Sequence, residues 1–135
     1  MLETKYTLKF EVVIGLSSDP TPDGIYLFTT EHMQTIWQKY AEEFFNKTSV
    51  YVSAIAVFGR AIYHHEWGCP IEGEQCLTFH CTANREFIED LDMYEKGVLY
   101  IAKKLKKEFK QHTITITKIP SRIYYLTDED NLEEE

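Results

Sequence analysis

Apolar residues recur at helical spacing in two segments of this chain and follow strand patterns in four others, and the order of those six segments limits the fold to very few topologies. Residues 4–14 alternate cleanly. Tyr6, Leu8, Phe10, Val12 and Ile14 share one face, with Lys5, Thr7, Lys9, Glu11 and Val13 on the other, which predicts a half-buried strand. Thr29 and Thr30 suit a helix N-cap. After them Met33, Ile36, Trp37, Tyr40, Ala41 and Phe44 recur every three or four residues and predict an amphipathic helix ending near Asn46. Residues 49–58 predict a second strand, apolar on both faces, broken by Gly59 as a bulge and resuming over 60–67. Residues 75–83 predict a third, with Leu77, Phe79 and Cys81 on one face and Cys76, Thr78, His80 and Thr82 on the other. A long helix over 90–111 follows, with Leu91, Tyr94, Val98, Ile101, Ala102, Leu105 and Phe109 as its buried stripe. Its acidic first turns and basic last turns complement the helix dipole. Residues 113–118 predict a fourth strand, extended by 122–126 beyond Pro120.

The order β-α-β-β-α-β contains two strand-helix-strand crossovers with a hairpin between them. It predicts an α+β ferredoxin-like sandwich, one four-stranded antiparallel sheet with two helices on one face. Residues 1–126 form a single α+β domain in this reading, and the like-charge run 127–135 is a disordered acidic tail. Residues 17–24, rich in Ser, Asp, Pro and Gly, are the longest loop signal.

Composition narrows the partners. A formal net charge of -8 on 135 residues disfavours a nucleic-acid polymer and an anionic membrane, both of which attract basic surfaces. No apolar run approaches the roughly 20 residues of a membrane span. The three cysteines make a disulfide framework improbable in a chain of this size, so a reducing cytoplasm is expected.

Two helices on one face leave the other face of the sheet unaccounted for. Lys9, Glu11 and Val13, Thr78, His80 and Thr82, and Thr113, Thr115 and Thr117 suit solvent there. Tyr51, Ser53, Ile55 and Val57 of the second strand do not, and an exposed apolar patch predicts a homo-oligomer. The competing expectation is that Ile25, Tyr26, Leu27 and Phe28 of the long loop fold over that patch.

Reactive side chains concentrate in the central hairpin, residues 59–81. With Glu72-Gly73 as a two-residue turn, Cys69 faces Cys76, Trp67 faces Thr78 and His65 faces His80. Three chemistries compete for this segment. His65, His80, Cys69 and Cys76 are metal-ligand types, but no CxxC, HxxxH or HExxH spacing accompanies them, so no metal is assigned. No glycine-rich phosphate loop occurs, and no cofactor is assigned. Arg60, Tyr63, His64 and Trp67 combine a cation, hydroxyl and imidazole donors and stacking faces, which predicts recognition of a small anionic or nucleotide-like ligand, or of a protein partner, without turnover. The alternative is a small isomerase- or hydrolase-like enzyme in which His64 works as an acid-base with Glu66, two residues away on the same strand face, or with Glu74.

Ile14-Gly15-Leu16-Ser17, followed by Gly59, Tyr63, His64, Gly68, Glu74 and Leu77, resembles a group of small bacterial and phage-borne α/β proteins of no established activity. In that group a first strand ends in a GLS-type turn, and a later hairpin carries Gly, an aromatic, His, Gly, Glu and Leu. The likeness covers the first strand and the central hairpin, roughly a third of the chain. Here a second histidine, His65, and a turn one residue longer depart from the pattern. The resemblance implies the same α/β architecture.

Overall fold

Alternation along residues 4–15 puts one row of apolar side chains on one side of the first strand, and that row is the floor of the core. The structure, a computed structural model, describes residues 3–17 and 28–128. Its elements are β1 (Thr4–Gly15), α1 (Thr30–Thr48), β2 (Ile55–Ala61), a short 3-10 turn (His65–Trp67), β3 (Glu74–Thr82), α2 (Leu91–Glu108) and β4 (Thr115–Tyr124). The sheet order is β2-β3-β1-β4 and every neighbouring pair is antiparallel. This is the ferredoxin-like arrangement expected from the element order.

Leu8, Phe10, Val12 and Ile14 of β1 and Leu77, Phe79 and Cys81 of β3 are buried beneath the helices. The helix α1 buries Met33, Ile36, Trp37, Tyr40, Ala41 and Phe44, the six residues of its predicted stripe. Thr29 is its N-cap and accepts from the His32 amide at 3.1 Å. The Trp37 indole stacks on Phe79, with ring centroids 4.4 Å apart, and donates from Nε1 to the Val52 carbonyl at 3.2 Å. α2 buries Tyr94, Val98, Ile101, Ala102 and Leu105, with Asp90 as its cap. Tyr40 donates to Glu108 at 3.0 Å and so ties the two helices together.

The second strand departs from its prediction. It begins at Ile55 rather than 49, because Ser49 adopts a left-handed conformation (φ 65°) that ends α1, and the next residues drop Val52 into the core. Gly59 sits in continuous register opposite Cys76 and makes no bulge. Beyond Ala61 the chain leaves the sheet. His64 Nδ1 accepts from the Glu66 amide at 3.1 Å, closing a tight turn over residues read as strand, and Gly68 at φ 99° ends it. The hairpin connection is therefore residues 62–73. The expected pairs Cys69–Cys76, Trp67–Thr78 and His65–His80 are replaced by Gly59–Cys76, Val57–Thr78 and Ile55–His80.

β4 starts at Thr115 and continues through Pro120 to Tyr124. Proline is tolerated because β4 pairs only with β1 and lies at the sheet edge. On the open side of the sheet Ile55 is 70% and Val57 47% exposed, whereas Tyr51 and Ser53 precede the strand. Of the loop residues expected to cover this patch, 25–27 lie outside the described residues. Phe28 instead packs edge-on against the core residue Phe109, 4.8 Å between centroids. The expected acidic tail lies outside the described residues except for Thr127 and Asp128.

Candidate active site

The end of β1 and the start of β3 meet at one corner of the sheet. Gly15, the last residue of β1, pairs with Cys76, and the Leu16 amide donates to the Gln75 carbonyl at 3.1 Å. Glu74, the first residue of β3, lies on the same side of its strand as Cys76, because side chains two apart share a face. The Tyr63 hydroxyl, reaching back from the hairpin connection, donates to Glu74 Oε2 at 3.0 Å. The other oxygen, Oε1, lies over the bare Cα of Gly15, 2.7 Å from where a Cβ would stand. Gln111, just after α2, reaches the same spot. Its Nε2 donates to the carbonyls of Ser17 at 3.1 Å and Phe109 at 3.2 Å, and its Oε1 is 3.3 Å from that absent Cβ. The corner thus gathers residues 15, 63, 74 and 111 around the space beside Gly15.

Cys69 fixes the loop that delivers Tyr63. Its Sγ accepts from the Tyr63 amide at 3.4 Å, and the thiol reaches the Pro70 carbonyl at 3.3 Å. Burial pushes the Tyr63 phenol up to about 12, and the hydrogen bond to Glu74 and that group's negative charge push the same way. At neutral pH Tyr63 is therefore a neutral donor beside a carboxylate. Burial also raises the Cys76 thiol, with the charge of Glu74 adding to it.

The remaining predicted site residues spread outward from this corner. Arg60 pairs with Gln75 in the sheet and is exposed. The His64 ring stacks on His65 at 4.5 Å and tilts toward Trp67 at 5.7 Å, and Trp67 is 78% exposed. His64 and Glu66 do not share a strand face, since they belong to a turn in which the Glu66 backbone amide, not its carboxylate, meets the imidazole. His80 lies on the open face at 3.6 Å from Glu11, far in register from His65. Among the described residues no group of three or more His, Cys, Asp or Glu side chains could hold a metal ion. An open depression of about 480 Å³ occurs elsewhere, lined by Lys9, Ser53, Ile55, His80 and Thr82. At the Tyr63–Glu74 corner a part-buried hydroxyl donates to a carboxylate beside the space left by a glycine.

The sequence pattern of the SAM lyase family matches residues 5–127, nearly the whole chain. The chain belongs to the SAM lyase family. Two solved structures share the fold. A phage SAM lyase in complex with S-methyl-5'-thioadenosine superimposes with a TM-score of 0.55 at 11% identity, over 93% of each chain. A phage SAM lyase in its apo state gives a TM-score of 0.55 at 13% identity, over 93% of this chain and 94% of the other. No curated protein matches the chain by sequence. The expectation of a group without established activity is thereby corrected, since a SAM lyase family carries a reaction in its name. Within the family's span lie Gly15, Tyr63 and Glu74, three residues of the motif resemblance, and they meet at one corner. Gln111 was not legible as a site residue, because a glutamine after a helix carries no catalytic signature. Cys69 was legible as a metal-ligand type and a cross-strand partner of Cys76, not as the residue that fixes the Tyr63 loop.

No helix among the described residues is long and apolar enough to cross a membrane.

Proposed function

We propose that this protein cleaves S-adenosylmethionine at its sulfonium, releasing S-methyl-5'-thioadenosine, and that Glu74 and Tyr63 form the reacting centre. The observation that carries this reading is the SAM lyase family match over residues 5–127. It favours the enzyme reading over a binder without turnover, and the Tyr63–Glu74 hydrogen bond supports Glu74 rather than the His64–Glu66 pair as the working carboxylate. Charge supports it as well. S-adenosylmethionine bears one net positive charge, from a sulfonium, an ammonium and a carboxylate, and a chain at -8 draws such a cation rather than an anion.

The chemistry balances without an outside reagent. The bond between the sulfonium sulfur and the γ-carbon of the amino-acid chain breaks, and its electron pair goes to sulfur, giving the neutral thioether. The substrate's own carboxylate supplies an electron pair to that carbon and closes a five-membered lactone. A positive and a negative charge disappear together, so removing the reacting atoms from water favours the step. Glu74 anchors the cationic end of the substrate, and the protonated Tyr63 holds Glu74 in place and presents its hydroxyl beside the reacting atoms. His64 and Trp67, on the loop that carries Tyr63, offer stacking faces for the purine, with Arg60 at the rim. S-adenosylmethionine is an intracellular metabolite, which supports a cytoplasmic location.

The test is direct. Purified protein incubated with S-adenosylmethionine releases S-methyl-5'-thioadenosine, measured by chromatography. Glu74→Gln abolishes release, Trp67→Ala raises KM, and Glu66→Gln is silent. Release undiminished in Glu74→Gln, or lost in Glu66→Gln, overturns the assignment.

The exposed Ile55 and Val57, with Ile62, Trp67 and Ile71 exposed on the 62–73 connection, also support self-association of the chain through the open face and this loop.

A further inference from the structure

We propose that Gly15 is a positioning residue for this reaction, and that its missing side chain is the seat holding the Glu74 carboxylate against Tyr63. The inference rests on the S-adenosylmethionine-cleaving reading for its consequence in catalysis, but the seat itself is a matter of geometry. Gly15 is not required by its backbone. The described glycines with positive φ are Gly68 and Gly73, and Gly15 lies in regular strand pairing with Cys76. Glycine in a strand is unfavourable by itself, and at Gly15, unlike Gly59, the close approach of another group accounts for it.

The group that approaches is Glu74. A Cβ at Gly15 would stand 2.7 Å from Glu74 Oε1, under the 3.0 Å that real Cβ atoms essentially never breach. Two neighbours could give way, and their partners decide which does. Gln111 Oε1, at 3.3 Å, need give only a few tenths of an ångström, and its amide is held by the carbonyls of Ser17 and Phe109. Glu74 is the end of a flexible side chain, so it moves. Among the described residues its side chain accepts a hydrogen bond from Tyr63, and swinging off Gly15 breaks or distorts it. Adding one methyl group therefore displaces the anchoring carboxylate of Glu74 while leaving the strand pairing and the core unchanged.

The experiment is Gly15→Ala in the full chain, with three readouts. Release of S-methyl-5'-thioadenosine falls by at least about tenfold. Adding Glu74→Asp to Gly15→Ala recovers part of that loss, because an acid one methylene shorter clears the new Cβ, whereas Glu74→Asp in the wild type lowers activity. The third readout needs no activity. The Tyr63 phenol, followed as the ultraviolet tyrosinate difference between each protein and its Tyr63→Phe counterpart, ionises at lower pH in Gly15→Ala than in the wild type, having lost its acceptor. A Gly15→Ala protein with wild-type turnover and wild-type Tyr63 titration overturns the proposal. If the wild type itself releases no product, the proposed reaction fails, and the titration alone still decides the seat. If Gly15→Ala loses thermal stability, the double variant Gly15→Ala/Glu74→Ala regains it where the Glu74 clash is the cause; failure to regain it overturns the proposal.

Discussion

The Tyr63–Glu74 contact makes two separable demands on single side chains, one for reactivity and one for burial. Tyr63→Phe removes the donor without changing shape. It should lower turnover while leaving the urea midpoint close to wild type, because one partly exposed hydrogen bond contributes only about 1 kcal/mol; a Tyr63→Phe protein with full turnover would remove the phenol from the reacting centre. Buried thiol and phenol groups make a second, independent prediction. Burial pushes the Cys81 thiol from 9.0 to about 12, and the phenol of Tyr94 is pushed up by burial as well. Both groups stay protonated in the folded chain at pH values where the unfolded chain has ionised them. Their contribution is whole below the unfolded value and is lost as pH rises toward the folded one, so stability should fall between pH 9.0 and about 12. The urea midpoint measured at about pH 10.5 should lie below that at about pH 8, and Cys81→Ala should flatten part of that slope. A midpoint unchanged over that interval would contradict the burial of these groups.

Helix α2 illustrates how an element is placed by one small residue. Gly97 lets it approach α1 so closely that a Cβ there would stand 2.7 Å from Phe44 Cε2 and 2.8 Å from Val52 Cγ2. Alanine is the better helix former, yet Gly97→Ala should destabilise the protein by about 1–3 kcal/mol in a urea titration, because a packed ring and a buried valine cannot retreat as a flexible carboxylate can. A neutral or stabilising result would show the interhelix contact to be looser than described. The elements differed in how far the sequence revealed them, for a physical reason. β1, β3 and both helices bury one face deeply, so their periodicity is enforced by the core and visible in the residues. β2 is an edge strand, and residues 60–67 continue its alternation without a core to enforce it. There the local hydrogen bond from the Glu66 amide to the His64 ring decided the conformation, and period-two reading ran six residues past the end of the strand at Ala61. Ser49 misled at the other end, since a β-propensity run beginning there first had to turn out of α1.

At the scale of the molecule, connection order carried the fold, because two crossovers and a central hairpin leave a four-stranded sheet few ways to close. The site was legible only in part. Tyr63 and Glu74 were both picked out by residue type, but with Glu72-Gly73 taken as a tight turn they were never placed together. The observed register pairs Glu74 with Ala61, and the chain must loop back through residues 62–73 before Tyr63 arrives. Gly15 and Gln111 lie far from the hairpin in sequence, so only the folded chain brings them to it. The same arrangement leaves Ile55, Val57, Ile62 and Trp67 in water on a single chain. Light scattering should therefore give a mass of more than one chain, shifting toward the monomer in Ile55→Lys/Val57→Lys; a monomer at tens of micromolar would remove the interface. The most direct trial of the whole account is the purified protein mixed with S-adenosylmethionine and followed by chromatography. Release of S-methyl-5'-thioadenosine by the wild type and none by Glu74→Gln is the predicted result. Intact substrate after prolonged incubation with folded wild-type protein, or equal release by both proteins, would contradict it.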